Sequence, residues 1–207
     1  GTLGMPGMTA YVGLLRIGEL KEGDKVMISA AAGAVGTVAS QIAIAKGCEV
    51  YGTTGSDEKC AVCEELGATE AINYNRDDFV EVCKALTEDG VNVVLDMVGG
   101  DYVQKNFSAC APKARIVSIA FLQGSNVQVD LLPLMLKQLV LTGSTLRAQP
   151  LENKARIAAG VESQVWPLIA EGKFKPMVHS SFPLVQASAG HALMESSQHI
   201  GKIVLVN

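Results

Sequence analysis

Lys25–Gly36 reads KVMISAAAGAVG, and Thr37–Lys46 continues it as TVASQIAIAK. Val26, Met27 and Ile28 form a short apolar run that leads into small residues and two glycines, and a helical pattern follows. The order is strand, tight turn, helix, a unit that aims free backbone N–H groups at a phosphate. In the fingerprint G-x-G-x-x-G the first place is held here by Ala31, with Gly33 and Gly36 in the second and third. Gly33 lets the backbone approach a pyrophosphate, and Gly36 lets the helix pack close to the strand. A pyrophosphate at this turn implies a dinucleotide, and a dinucleotide implies redox chemistry.

Outward from this unit, strand and helix patterns alternate. Apolar or β-branched runs at Lys25–Ser29, Glu49–Thr54, Glu70–Tyr74, Val91–Val98, Arg115–Ala120 and Leu139–Thr145 are mostly continuous, as in parallel strands covered on both faces. Helical patterns fill the gaps at Ala34–Lys46, Asp57–Leu66, Asp78–Leu86, Tyr102–Cys110, Leu131–Lys137 and Glu152–Ala170. Repeated βα units predict an α/β fold with a doubly wound parallel sheet, the Rossmann fold. Thr9–Leu20 reads as a leading helix with Leu14, Leu15 and Ile17 inward. The C-terminal tail reads as a short run (Met177–Leu184), a helix (Gln186–Ser196) and a final strand (Lys202–Val206).

The second strand ends Thr53-Thr54-Gly55-Ser56, without the carboxylate that accepts from a ribose 2′-hydroxyl in NAD binders. Ser56 offers a hydroxyl, Lys59 a charge and the next helix its N-terminus, a set that suits a 2′-phosphate and therefore NADP(H). Asp57 and Glu58 argue the other way unless they serve the first turn of that helix. Tyr74 either closes over the adenosine side or stands at the edge with its hydroxyl in water. At the carboxyl ends of the fourth and fifth strands lie Asp96-Met97-Val98-Gly99-Gly100 and Ala120-Phe121-Leu122. Gly99 and Gly100 either give the coenzyme room or make an ordinary turn. Phe121 and Leu122 either wall the nicotinamide or pack in the core. Asp96 is an acid or base, or a cap for nearby backbone.

Among 207 residues, 48% are hydrophobic and 18% charged, and the formal net charge is −4. One domain with a sizeable core fits this length. No apolar run reaches the ~18–20 residues of a membrane span, and no Lys/Arg cluster marks a nucleic-acid partner. The start lacks an initiator Met and a signal-peptide pattern, so the chain is expected to be the interior of a longer protein. Five irregularly spaced cysteines lead to an expectation of reduced thiols and a cytoplasmic setting. Cys60 and Cys63 lie one helical turn apart without a second ligand pair. His179, His191 and His199 are scattered near the tail. No zinc set and no Gly-x-Ser-x-Gly elbow is present.

Along its whole length the chain resembles the cofactor-binding part of zinc-independent medium-chain dehydrogenase/reductases. LGMPGMTAYVGLL at Leu3–Leu15, AAAGAVG and Gly55-Ser56-Asp57-Glu58-Lys59 are similar to alkenal, prostaglandin and curcumin reductases. From about Asp78 onward DGVNVVLDMVGG, STLRAQPLENKARIA and ESSQHIGKIVLVN are similar to bacterial NADPH:quinone oxidoreductases related to zeta-crystallin and the p53-inducible quinone reductase. The resemblance implies that Thr9 lies near the nicotinamide or phosphate. It also implies that Gly33, Ala34 and Val35 hold the pyrophosphate, that Ser56, Lys59 and Tyr74 form the 2′-phosphate pocket, and that Lys202 contacts the coenzyme. His199 stands where such reductases often have Asn.

Family members begin with a GroES-like catalytic domain, which this sequence does not contain. Residues 1–175 are therefore expected to be the NADP-binding domain, and 176–207 a tail that in relatives completes the catalytic domain. Lys202–Val206 is expected to lack its usual sheet neighbours, and so to fray or to pair with a second copy. The implied activity is hydride transfer from NADPH to a quinone or related enone, with little turnover by this chain alone and no catalytic residue assigned. The alternatives are an alkenal or prostaglandin-type double-bond reductase, and a nucleotide-binding fragment or scaffold without turnover. A homodimer through the edge of the sheet at Leu139–Thr145 is also implied.

Overall fold

A computed structural model describes residues 3–207. It contains a six-stranded parallel sheet formed by β1 (Lys25–Ile28), β2 (Glu49–Thr54), β3 (Glu70–Asn73), β4 (Val91–Asp96), β5 (Cys110–Ser118) and β6 (Val140–Gly143). The strand order is β3-β2-β1-β4-β5-β6, and every pairing is parallel. The chain winds outward in both directions from the β1/β4 neighbourhood, which is the topological switch point of such a sheet.

Successive side chains of each strand feed opposite faces. Val26, Ile28, Val93 and Leu95 join the cluster beneath α2 (Ala34–Ala45), where Ile42 and Ala43 are buried. Met27 and Val94 face the other way, against Phe79 of α4 (Phe79–Leu86) and Phe107 of α5 (Tyr102–Ala109). Both faces are dry at β1 and β4, in the middle of the sheet, so these strands read as continuous apolar runs without polar alternation, whereas β6 at the edge is largely exposed.

The leading helix begins at Gly4, earlier than the expected Thr9. It runs as α1 (Gly4–Ala10) and then as a wider π-helical segment, Tyr11–Ile17. Leu14 is buried, while Leu15 and Ile17 are half-buried. β5 starts at Cys110 rather than Arg115. Cys110 pairs with Val91, and the ladder then shifts register around Pro112 and Lys113 before resuming at Arg115. Proline has no N–H to give to a ladder, which hid the first half of the strand. The long helix expected over Glu152–Ala170 is two helices, α7 (Leu151–Gln164) and α8 (Trp166–Ala170), divided at Val165. Pro167 cannot donate to the carbonyl four residues back, so the helix breaks one turn before it. Between β5 and β6 lies the short α6 (Leu132–Leu136), and α3 (Asp57–Glu65) joins β2 to β3.

The tail forms a second unit. β7 (Val178–Pro183) and β8 (Lys202–Val206) pair in parallel, and α9 (Ala187–Glu195) crosses between them. Lys202–Val206, expected to lack its usual sheet neighbours and so to fray or to pair with a second copy, is instead paired along one edge with β7 of the same chain. The tail is also tied to the first βα turn. The Gly201 N–H donates to the Ala32 carbonyl at 2.8 Å, and Gly33 and Gly201 form an isolated bridge. Gln41 of α2 is hydrogen-bonded to the backbone of Lys175 in both directions, at 3.1 and 2.6 Å.

Candidate functional site

At the carboxyl end of β1 the chain turns through Ala30, whose φ of 51° is left-handed. It then enters α2 with Gly33 as N-cap, and no side chain caps this helix. The N–H groups of Ala34, Val35 and Gly36 have no carbonyl one turn earlier within the helix, and they point out of its N-terminus. A Cβ on Gly33 would meet only the Ala30 carbonyl, at 3.2 Å, so the space in front of the turn is open. A Cβ on Gly36 would lie 2.5 Å from the Ala30 and Ala31 carbonyl oxygens, so only glycine lets the helix sit this close to the turn. Open backbone donors at the positive end of a helix dipole fit a pyrophosphate.

Two depressions flank this turn. The larger is a cleft of about 1000 Å³ over the carboxyl ends of β4, β5 and β6. Thr9, Val35, Met97, Phe121 and Leu122 line it, together with Ser144 and Arg147. Phe121 is 49% and Leu122 74% exposed, so neither is a core residue. Thr9 Oγ1 donates to the Met5 carbonyl at 2.9 Å. The wall is stiffened from behind. Asp96 is fully buried, and its carboxylate accepts from the Val98 N–H at 2.8 Å, from the Gly99 N–H and from Ser29 Oγ at 3.1 Å. Asp96 is thus a cap that holds the turn. Gly99 lies in the left-handed region at φ 66°, and a Cβ there would stand 2.6 Å from the Phe121 ring. Gln123 and Leu122 donate their N–H groups to Val98 and Met97, which ties the two loops into one surface.

The smaller depression, about 590 Å³, lies beyond the end of β2. Gly55, Ser56, Glu58, Lys59 and Tyr74 line one side, and His179, Leu193, Ser197 and Gln198 of the tail line the other. Ser56 is the N-cap of α3 and accepts from the Lys59 N–H at 3.3 Å. Lys59 Nζ donates to the Ser197 carbonyl at 2.5 Å, which leaves two of its three protons free. Asp57 is turned away from the crevice: it accepts from Asn73 at 2.8 Å and pairs with Arg76 at 3.0 Å. Its role is therefore local, and Glu58 is the carboxylate on the rim. Tyr74 is half-exposed, with its hydroxyl packed against Gly55. Burial, then the charge of Lys59 and the neighbouring His179, hold the His199 imidazole below its ordinary range.

Sequence-expected residues thus fall in three places. Gly33, Ala34, Val35 and Gly36 form the turn. Thr9, Phe121 and Leu122 border the large cleft, with Gly99 directly behind Phe121. Ser56, Lys59 and Tyr74 border the small one. Lys202 lies apart from both, in β8, where its N–H donates to the Met177 carbonyl. The contributions of His179, Ser197 and Arg147 were not anticipated from the sequence, because no motif surrounds them. Cys60 and Cys63 are buried in α3, where Cys60 Sγ lies 3.0 Å from Thr54 Oγ1. Among the described residues no group of three or more His, Cys, Asp or Glu could hold a metal ion. No helix among them is long and apolar enough to cross a membrane.

Comparison with known proteins agrees with this geometry. A family model described as zinc-binding dehydrogenase matches residues 34–160. Prostaglandin reductase 1 of Mus musculus is 52% identical over 103 residues, which is 49% of this chain and 31% of that protein. The 2-haloacrylate reductase of a Burkholderia species is 31% identical over 208 residues, covering 98% of this chain and 61% of the relative. Among solved structures, Escherichia coli quinone oxidoreductase complexed with NADPH superposes with a TM-score of 0.85 at 30% identity. That match covers 98% of this chain and 63% of the other. The chain therefore spans less than two thirds of the length of each of these proteins.

Proposed function

The chain belongs to the zinc-binding dehydrogenase family, and on that premise we propose that it is the NADP(H)-binding part of a reductase acting on a quinone or related enone without zinc. One observation carries the coenzyme assignment. The crevice past β2 presents Ser56, Lys59 and Tyr74, while of the two carboxylates in the first turn of α3 Asp57 is engaged by Asn73 and Arg76 and only Glu58 stands on the rim. The NADPH bound in the related quinone oxidoreductase supports the same reading.

In this reading the N–H groups of Ala34, Val35 and Gly36 hold the pyrophosphate, and Ser56 and Lys59 hold the 2′-phosphate. When bound, NADPH supplies a hydride from its nicotinamide. Phe121 and Leu122 present apolar surface that excludes water from one wall of the large cleft, and the Asp96-capped turn fixes that wall in place. Thr9 and Ser144 supply hydroxyls to orient polar groups there. Lys202 lines neither depression, and its contact with the coenzyme is proposed from the family resemblance and from its place beside Gly201, which is bonded to the turn.

A second reading, a prostaglandin- or alkenal-type double-bond reductase, is favoured by the 52% identity over half the chain. The two differ in product, a hydroquinone or semiquinone against a saturated ketone. The chain itself is proposed to bind coenzyme with little turnover. The exposed edge at β6, with Val140 and Leu141 uncovered, is proposed to pair with a second copy.

Titration of the chain with NADPH and with NADH, followed by nicotinamide fluorescence, tests the assignment. NADPH is expected to bind at least tenfold more tightly. Equal affinities, or no binding of either, would overturn it.

A further inference from the structure

We propose that His179, on the C-terminal tail, is a direct ligand of the coenzyme's 2′-phosphate, facing Lys59 across the crevice. The inference rests on the reading of that crevice given above. Three features of the structure carry it.

First, the β7–β8 ladder pairs Val178 with Lys202 and Ser180 with Ile203, so His179 is an extra residue that shifts the register. Such a bulge takes a residue out of the ladder and re-aims its side chain. Here the imidazole lines the crevice together with Ser56, Lys59 and Tyr74.

Second, His179 Nδ1 accepts the Ile200 N–H at 3.3 Å. An accepting Nδ1 fixes the neutral tautomer with its proton on Nε2. His179 is therefore a donor without needing to be an imidazolium, and its far nitrogen is the atom available to an anion.

Third, His199 adds a second imidazole beside Lys59 and His179, and its buried Nδ1 has no hydrogen-bond partner. The charged and titratable groups that line the crevice with His179 are Lys59 and Glu58 of α3 and Tyr74 after β3, and His199 lies close behind, within reach of the charges of Lys59 and His179. Ser56, Lys59 and the neutral imidazole of His179 supply hydrogen-bond donors there against a single rim carboxylate, Glu58. A phosphate dianion fits such a set, whereas a bare ribose hydroxyl would leave it unsatisfied. The tail is thereby part of the coenzyme site rather than only a support for the turn.

Two replacements separate a ligand from a structural residue. His179→Asn keeps an acceptor where Nδ1 stands and can hold the Ile200 N–H, but it has no donor at the Nε2 position. His179→Gln places an amide donor near Nε2 and gives up the acceptor. Dissociation constants for NADPH, NADH and adenosine 2′,5′-bisphosphate are measured with the 207-residue chain at pH 8. His179→Asn is expected to weaken NADPH and the bisphosphate about tenfold, the loss of one charge-assisted hydrogen bond, while NADH changes less than about twofold. His179→Gln is expected to recover most of that loss.

If His179→Asn leaves NADPH unchanged, or weakens NADPH and NADH alike, His179 is not a phosphate ligand. The same holds if His179→Gln recovers none of the affinity that His179→Asn loses. Lys59→Asp serves as the reference. Selective loss of NADPH there, with no effect at His179, overturns this inference alone. Equal loss of both coenzymes at Lys59, or no NADPH binding by the unaltered chain, overturns the crevice assignment as well.

Discussion

Replacing Lys59 by Asp is the sharpest perturbation of the coenzyme site. The ammonium stands on the first turn of α3, half-buried, with one proton given to the Ser197 carbonyl at 2.5 Å. A phosphate oxygen in contact with the remaining protons would lie about 3–4 Å away. Two unit charges at ~4 Å interact by ~1 kcal/mol in water and ~4 kcal/mol at the effective dielectric of a protein surface. The partial exposure of this group argues for the lower part of that range. The substitution removes one attraction and installs one repulsion, so the net cost for NADPH is about 2–3 kcal/mol, or about 30- to 150-fold in affinity. NADH has no 2′-phosphate and should change by no more than about threefold. The difference should shrink in 1 M salt, where the screening length falls to ~3 Å. Fluorescence titrations of both coenzymes at low and high salt read all four quantities. Parallel losses for NADPH and NADH, or a difference insensitive to salt, would refute the electrostatic reasoning.

Asp96→Ala should lower stability by about 3 kcal/mol, seen as a drop in Tm, because the Val98 and Gly99 N–H groups and Ser29 Oγ lose a buried acceptor; an unchanged Tm would contradict the capping role. Burial pushes the thiols of Cys63, Cys83 and Cys110 up to about 12 and that of Cys48 to about 11. At pH 8 a thiol with a pKa near 12 is about one part in ten thousand thiolate, so iodoacetamide should leave these four cysteines of the native chain unmodified for hours and alkylate all five cysteines in denaturant. Rapid native labelling at Cys83 would show the core to be open. Val140→Lys places a charge on the uncovered β6 edge and should shift the chain to monomer in light scattering; a dimer unaffected by it would place the contact elsewhere.

The sheet was legible because its physics is local. A strand covered on both faces must be largely apolar without alternation, and most of the six runs between Lys25 and Thr145 met that requirement, the exposed β6 being an exception in its covering. A helix that follows a strand must return over the sheet by a right-handed crossover, so the order of the runs constrained the order of the strands. Legibility failed where a proline or a glycine-rich start masked the pattern. Pro112 interrupts the apolar signal in the first half of β5, yet Cys110 still pairs with Val91. Pro167 sits inside a continuous helical periodicity that the backbone cannot follow. Gly4, Pro6 and Gly7 look like a loop, yet Pro6 and Gly7 are buried in the first two turns of α1.

The candidate site divides along the same line, and the division says something about how it is built. Residues supplied by the βα turns (Gly33 and Gly36, Ser56 and Lys59) could be read because their chemistry and their spacing lie within a few positions of one another. Thr9, which lines the large cleft, entered only through the family resemblance. Of the tail, Lys202 and His199 entered only through the same resemblance, and His179 and Ser197 could not be read at all. The bonds that seat it join Gln41 to Lys175 and Lys59 to Ser197, across 134 and 138 positions, and no periodicity reports contacts of that range. The tail's own sequence has an ordinary strand, helix and strand. Its consequence for the site comes from a single inserted residue in the β7–β8 ladder and from the hydrogen bond between Gly201 and Ala32. Binding donors that follow from local turn geometry are thus separate in the sequence from those that follow from docking. A coenzyme whose pyrophosphate end is held by the first kind and whose 2′-phosphate end touches the second couples the two parts: its affinity should report whether the tail is seated on the turn.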